Sequence, residues 1–307
     1  MKTQPLDEKS WITHRYFRTY AIASQVHAIA TNPAAFMREL EELWLDGGVL
    51  SFVSKWSNDT VVHKFARWVA DDMFYEDTSG PYIEVMEGDN YKSIKRRLPV
   101  DVCLRAYGIA NEPFEIPPSD GTSVKVERNI AVRQESSRVA DACHAYFIED
   151  LRCTQAYENL LTQIGAEVFH VMFTNRAAMA GLNRLVAAQL QNIDPDGVRE
   201  DPDLRSLLMV SGSTVRPKRT PIPKWVRNAV FFRDHGRCVY CGRDLTALID
   251  SQPARHFDHI VPLARGGIND VTNLQLLCET CNTKKSDIPV EPSNKYRRWI
   301  NDSPSGM

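Results

Sequence analysis

The sequence predicts an α+β protein, with a mainly α-helical N-terminal domain and a small C-terminal domain stapled by structural zinc. Three observations predict it. Apolar residues recur at helical spacing through most of the stretch before Ser211. A basic, Pro-rich segment, SGSTVRPKRTPIPK (Ser211–Lys224), breaks that pattern. Two CxxC pairs, Cys238/Cys241 and Cys278/Cys281, follow it. The expected boundaries are 1–210 for a helical domain of unassigned role, 211–222 for a linker and 223–300 for the C-terminal domain.

In the first part, Asn32-Pro33 predicts a helix start, a capping Asn followed by Pro at the first helical position. Phe36, Met37, Leu40, Leu43 and Trp44 then share one stripe, and Gly47-Gly48 ends it. A second helix is expected from Asn58 to Phe74, with Val61, Phe65, Trp68 and Val69 inward. Residues 136–190 contain no Pro and predict two or three helices, the last from Val168 to Leu190. Residues 80–122 are richer in Pro, Gly and β-branched types and suit short strands or an irregular segment. No repeat, low-complexity tract or known motif precedes residue 215.

Composition is that of a folded protein, 43% hydrophobic and 25% charged. No apolar run reaches the ~18–20 residues that span a bilayer, and MKTQPLDEKSWITHRYF lacks the apolar core of a signal peptide. A cytoplasmic protein without a membrane partner is expected. Net charge is −2, but unevenly spread: 15 Lys+Arg face 9 Asp+Glu from Thr214 onward, against 22 and 30 before it. A basic C-terminal part on an acidic body suits a polyanion, or is a solvated basic surface. Arg216, Lys218, Arg219 and Lys224 make the linker either a phosphate-contacting strap or a solvated hinge.

Cys103, Cys143 and Cys153 are scattered and read as small buried apolar residues. Cys238, Cys241, Cys278 and Cys281 read as a zinc site: two knuckles aim four thiolates at one ion, with Zn–S about 2.3 Å. Four thiolates leave no open position, so the ion is structural. Gly242 relieves the first knuckle, and a short helix from Pro223 to Asp234 precedes it, ended by His235-Gly236.

Between the cysteine pairs the motifs become specific. RDHGRCVYCG (233–242), FDHIVPLARGG (257–267) and NDVTNLQLLCETCNTKK (269–285) follow in order. This arrangement resembles the HNH endonuclease family in its four-cysteine branch. The resemblance implies a ββα-metal unit that hydrolyses phosphodiester bonds, in DNA more often than RNA, leaving 5′-phosphate and 3′-hydroxyl ends. It implies His259 as general base, Asp258 and Asn282 as ligands of a catalytic Mg²⁺ or Mn²⁺, and Asn273 as the residue that holds the loop so that the base is aimed. Asn stands at position 282 where many relatives have a final His, an H-N-N variant that keeps an oxygen ligand and favours hard ions.

The residues agree with that chemistry on their own terms. HFDHIVPL alternates like a strand, Arg265-Gly266-Gly267 is a bend, and a helix opens at Cys281–Lys285, so Asp258, His259 and Asn282 come together. A His supplies a base near neutral pH, and Mg²⁺ needs only one or two protein oxygens. Arg265, Lys284 and Lys285 are candidate phosphate contacts. His256 either lines the site or flanks it, and Arg297, Arg298 and Trp299 extend a basic groove.

Two functional classes remain open: an active endonuclease, or a zinc-dependent nucleic-acid-binding module without catalysis. HNH domains occur on restriction enzymes, phage-defence effectors, homing and phage nucleases and packaging proteins. A helical body fused to one suits a defence or restriction effector whose body binds a protein partner or oligomerises.

Overall fold

The computed structural model describes residues 10–87, 93–118, 122–127, 130–135, 137–247, 255–288 and 291–293. In chain order the elements are α1 (Ser10–Thr31), α2 (Met37–Trp44), α3 (Val61–Glu76), β1 (Ile83–Glu87), β2 (Ser93–Arg97), α4 (Pro99–Ala106), β3 (Thr122–Glu127), β4 (Ile130–Glu135), α5 (Ser137–Ala145), α6 (Gln155–Met172), α7 (Arg176–Leu190), α8 (Pro195–Glu200), α9 (Pro202–Leu207), β5 (Leu208–Ser211), β6 (Thr214–Pro217), α10 (Lys224–Arg233), β7 (Arg255–His259), β8 (Leu274–Cys278) and α11 (Glu279–Lys285). Among the described residues each strand pairs with its chain neighbour, giving four antiparallel two-stranded sheets. The fold is α+β, as the sequence predicts. No helix among the described residues is long and apolar enough to cross a membrane.

The chain forms two compact units, one of residues 1–26 and 65–169, the other of residues 27–64 and 170–307. In the first, Phe65, Phe74, Leu98, Leu104, Phe147, Tyr157 and Ile164 are buried. Two carboxylates in it are well paired: Asp101 accepts from the Phe114 N–H at 3.1 Å and the Tyr146 hydroxyl at 3.0 Å. Glu167 accepts from Tyr107 and Thr19, at 2.8 and 2.7 Å.

The second unit carries both cysteine pairs, together with residues 27–64 and 170–210. Polar contacts bind these segments to the cysteine-bearing part. Asn183 of α7 donates to the Thr272 hydroxyl at 2.9 Å. Arg176 pairs with Asp234 at 3.2 Å with both side chains buried. The N–H of Val61, which opens α3, donates to the Asp270 carboxylate at 3.0 Å. Residues 27–64 thus supply a partner to a buried carboxylate.

Local structure departs from expectation where tertiary contacts intervene. A single 3-10 turn, Pro33–Phe36, precedes α2. The break expected near Val168 lies at residues 173–175, because the Asn175 side chain caps α7 by accepting from the Ala178 N–H at 3.1 Å. The segment expected to be an extended linker begins as the β5–β6 hairpin, turned at Gly212 with φ 63°. Residues 218–223 carry no regular structure. Helix α1 was not anticipated; it buries Ile22, Val26 and Ile29 while exposing Tyr16, Phe17 and Tyr20.

Candidate active site

The site grows from the β7–β8 hairpin and the short helix that follows it. The register pairs Asp258 with Gln275 and His259 with Leu274. Strand β8 is buried along its whole length, which fixes that register. Helix α10 packs under it through Val226, Val230 and Arg233. Next to it, the Asp234 carboxylate accepts from the Leu276 N–H at 2.9 Å.

Asn273 is fully buried and makes three side-chain bonds. Its Oδ1 accepts from the Val261 N–H at 2.8 Å, and its Nδ2 donates to the carbonyls of Val261 and Ile268 at 3.1 and 3.0 Å. One amide thus clamps both ends of the 261–268 loop that leaves the strand after His259. The loop bends at Gly266, where φ is +83°, a conformation that suits Gly. A Cβ at Gly267 would overlap the Val261 carbonyl, so the clamp closes only around Gly there.

His256 and Asp258 alternate with His259 along β7, and the first two face α11. Asn282 Nδ2 lies 3.4 Å from His256 Nδ1. Lys285, one turn on, lies 2.8 Å from Asp258 Oδ2 and donates to the His259 carbonyl at 2.9 Å. Gln275 Nε2 reaches the same Asp258 oxygen from the partner strand at 3.4 Å. Asp258 Oδ1 and Asn282 Oδ1 have no partner among the described residues. Two open oxygens beside solvent suit a hard, partly hydrated cation better than a fully caged one. Among the described residues, the four cysteines alone form a cluster of three or more His, Cys, Asp or Glu ligands.

His259 is 4% exposed, and its Nε2 is buried without a hydrogen-bond partner. The Trp56 ring stacks on it, centroids 6.1 Å apart and planes at 28°. Burial pushes the imidazole down to about 4; the Asp258 carboxylate and the Asn269 carboxamide oppose this, and Arg219 and Lys285 add to it. The imidazole is therefore neutral near pH 7, the state a base requires.

The expected residues do not all stand where the sequence put them. Arg265 and Lys284 are exposed, as phosphate contacts would be. Lys285, expected beside them, is 3% exposed and turned inward, because it lies one helical turn after Asn282 on the face that meets β7. His256 lies against Asn282. Arg297, Arg298 and Trp299 lie outside the described residues. Sequence reasoning missed Trp56, Asn269 and Gln275. Gln275 was within reach as the cross-strand partner of Asp258, whereas nothing local marks Trp56.

The four cysteine sulfurs lie within 4.8 Å of one another. Cys241 and Cys278 sulfurs are 3.7 Å apart, too far for a disulfide and close to the ~3.8 Å edge of a tetrahedron with 2.3 Å Zn–S bonds. At Cys238 burial opposes ionisation, but the N–H groups of Cys241, Cys278 and Tyr240 aimed at its sulfur hold the thiol below its ordinary value. Burial and neighbouring sulfurs raise Cys241 and Cys281. Four sulfurs gathered at tetrahedral spacing, with no disulfide among them, fit structural zinc.

No curated protein and no solved structure matches the chain. Residues 238–287, with the four-cysteine cluster among them, match the model of a nuclease family, HNH endonuclease.

Proposed function

We propose that the chain is a metal-dependent endonuclease that hydrolyses phosphodiester bonds in DNA. The observation that carries this reading is the packing of α11 on β7, which brings Lys285 to Asp258 and Asn282 to His256, with the neutral imidazole of His259 next along the strand. A divalent ion, Mg²⁺ or Mn²⁺, supplies charge neutralisation at the phosphate when bound. His259 takes the proton of the attacking water. Asn273 holds the loop that leaves His259, and Lys285 fixes Asp258 and the His259 carbonyl. Arg265 and Lys284 offer exposed charges to phosphate oxygens. The zinc holds the frame and takes no part in the chemistry.

The products expected are 5′-phosphate and 3′-hydroxyl ends. One such site cuts one strand at a time, so duplex cleavage comes from a dimer or two nicks. We assign residues 223–300 to the nuclease domain, 211–222 to the connection, and 1–210 to a body that binds a partner or oligomerises, as in a restriction or phage-defence effector; of that body, residues 27–64 and 170–210 belong to the same compact unit as the nuclease domain. A cytoplasmic setting suits four reduced thiols.

A second reading, a nucleic-acid-binding module without catalysis, is favoured by the burial of His259 under Trp56. Incubating the full chain with plasmid and Mg²⁺ or Mn²⁺, beside His259→Ala, separates the two. Nicking by the parent and none by the variant supports the nuclease. Nicking by neither, with DNA binding retained, supports the module.

A further inference from the structure

Helix α10 lies outside the residues matched by the family model and carries no assigned role. One side of it is buried through Val226, Val230 and Arg233. The opposite side presents Lys224, Trp225, Asn228 and Phe232 at helical spacing, with Arg227 at its margin, all exposed. Phe232 is 73% exposed and Trp225 40%, a large apolar area to leave in water on one ten-residue helix.

The surrounding charge says what suits this face. No Asp or Glu occurs between Asp203 and Asp234, a stretch that contains Arg205, Arg216, Lys218, Arg219, Lys224, Arg227 and Arg233. Cationic and aromatic side chains interleaved along a stretch of chain without acidic residues complement a polyanion whose units also have flat apolar faces. An apolar protein partner would account for the rings but not for the exclusion of acids. Arg233 donates to the Leu274 carbonyl, and the adjacent Asp234 accepts from the Leu276 N–H. The face is thereby fixed to β8, the strand paired with Asp258 and His259.

We propose that the exposed face of α10 is a docking surface for single-stranded or locally unpaired DNA. Lys224 and Arg227 contact phosphates, and the rings of Trp225 and Phe232 stack on bases. A strand lying there is held in register with the catalytic centre without meeting it. The proposal deepens the nuclease reading by naming the form of DNA the chain holds.

The test measures binding of a labelled single-stranded oligonucleotide and its duplex to the full chain by fluorescence anisotropy. No Mg²⁺ or Mn²⁺ is added, and no chelator, so that nothing is cut and the zinc stays bound. Phe232→Ala and Trp225→Ala are expected to weaken single-strand binding roughly 5- to 10-fold each, with the salt dependence unchanged. Lys224→Ala with Arg227→Ala is expected to lower the slope of log K against log salt by about 0.7 per contact. All four side chains are exposed, so thermal unfolding should stay at the parent value and confirm that the variants fold. Single-strand affinity no greater than duplex affinity, or variants that bind like the parent, overturns the proposal. So does a shift from dimer to monomer in sedimentation of Phe232→Ala with DNA affinity unchanged, which assigns the face to a protein contact. A chain that binds as expected but cuts nothing with Mg²⁺ overturns the nuclease reading instead.

Discussion

Lys285 sits 2.8 Å from Asp258 and donates to the backbone carbonyl of His259, so one buried ammonium holds both residues of the Asp-His pair. The side chain of Lys285 is 1% exposed and that of Asp258 23%. Removing the ammonium leaves a buried carbonyl unpaired and a half-screened carboxylate without its counter-charge. Lys285→Met is expected to cost about 2 kcal/mol of stability, less than a fully buried pair because solvent reaches Asp258. Cleavage should fall with it, since Asp258 loses its fixed position. Thermal unfolding and plasmid nicking measured together check this, and a variant that melts and cuts like the parent would refute the role given to Lys285.

The four sulfurs around one point give a second prediction. One zinc ion per chain is expected by elemental analysis, and none in Cys278→Ser. Structural zinc sites in small domains contribute about 10–16 kcal/mol on binding, more than the rest of a small domain can replace. Residues 238–287 should unfold in the variant or on prolonged chelation, seen as new protease cleavage within that segment. A zinc-free chain that resists protease there would remove the staple from the account.

What was legible in the sequence follows from where the information lies. CxxC knuckles, the Asp258-His259 pair and Gly266-Gly267 are local signals, each marking chemistry or backbone shape within a few residues. The strand at β7 and the helices α10 and α11 followed from such signals, and α10 came within one residue of its expected bounds. Trp56 over His259 and Val61 against Asp270 are contacts across long sequence separations, and no period or motif in one sequence announces them. Lys285 falls between these cases. Its helical spacing from Asn282 was readable, but its sign of charge suggested phosphate, and only the packing of α11 on β7 shows that it turns inward. Helices α2, α3 and α5 to α7 were legible as helices because periodicity reports burial, but α1 was not, and their grouping was not, because periodicity does not report what each face meets.

Asn273 offers a sharper test of how the site is held. Its amide uses both its acceptor and its donors on buried backbone groups. Asn273→Ala leaves three of these groups unsatisfied and is expected to cost about 2–4 kcal/mol, allowing for relaxation. Asn273→Asp keeps the acceptor for Val261 but loses both donors and buries a charge, so it should be at least as damaging. If the clamp matters for aim, Gly267→Ala reproduces the loss of cleavage with Asp258, His259 and Asn282 intact, because its Cβ has no room beside the Val261 carbonyl. Full cleavage by Gly267→Ala at a temperature where it remains folded would show that the loop tolerates displacement.

The other compact unit has its own pH signature. Burial raises the Asp101 carboxyl to about 6, against the Phe114 N–H, the Tyr146 hydroxyl, Arg97 and Asn111, which all favour the charged form. In the unfolded chain the same group titrates near its usual value of about 3.9. The folded state therefore binds the proton more tightly. Its contribution to stability is complete below pH 4 and is lost as pH rises through 6. About two pH units of difference correspond to roughly 3 kcal/mol at most. Asp101→Asn imitates the protonated group, keeps one acceptor for the Phe114 N–H, and should flatten this dependence between pH 4 and 6 while raising stability at pH 7.5. Denaturant unfolding of the full chain across that range, followed by a probe in residues 65–169, reads both effects. Parallel pH profiles for parent and variant would place the titrating group elsewhere.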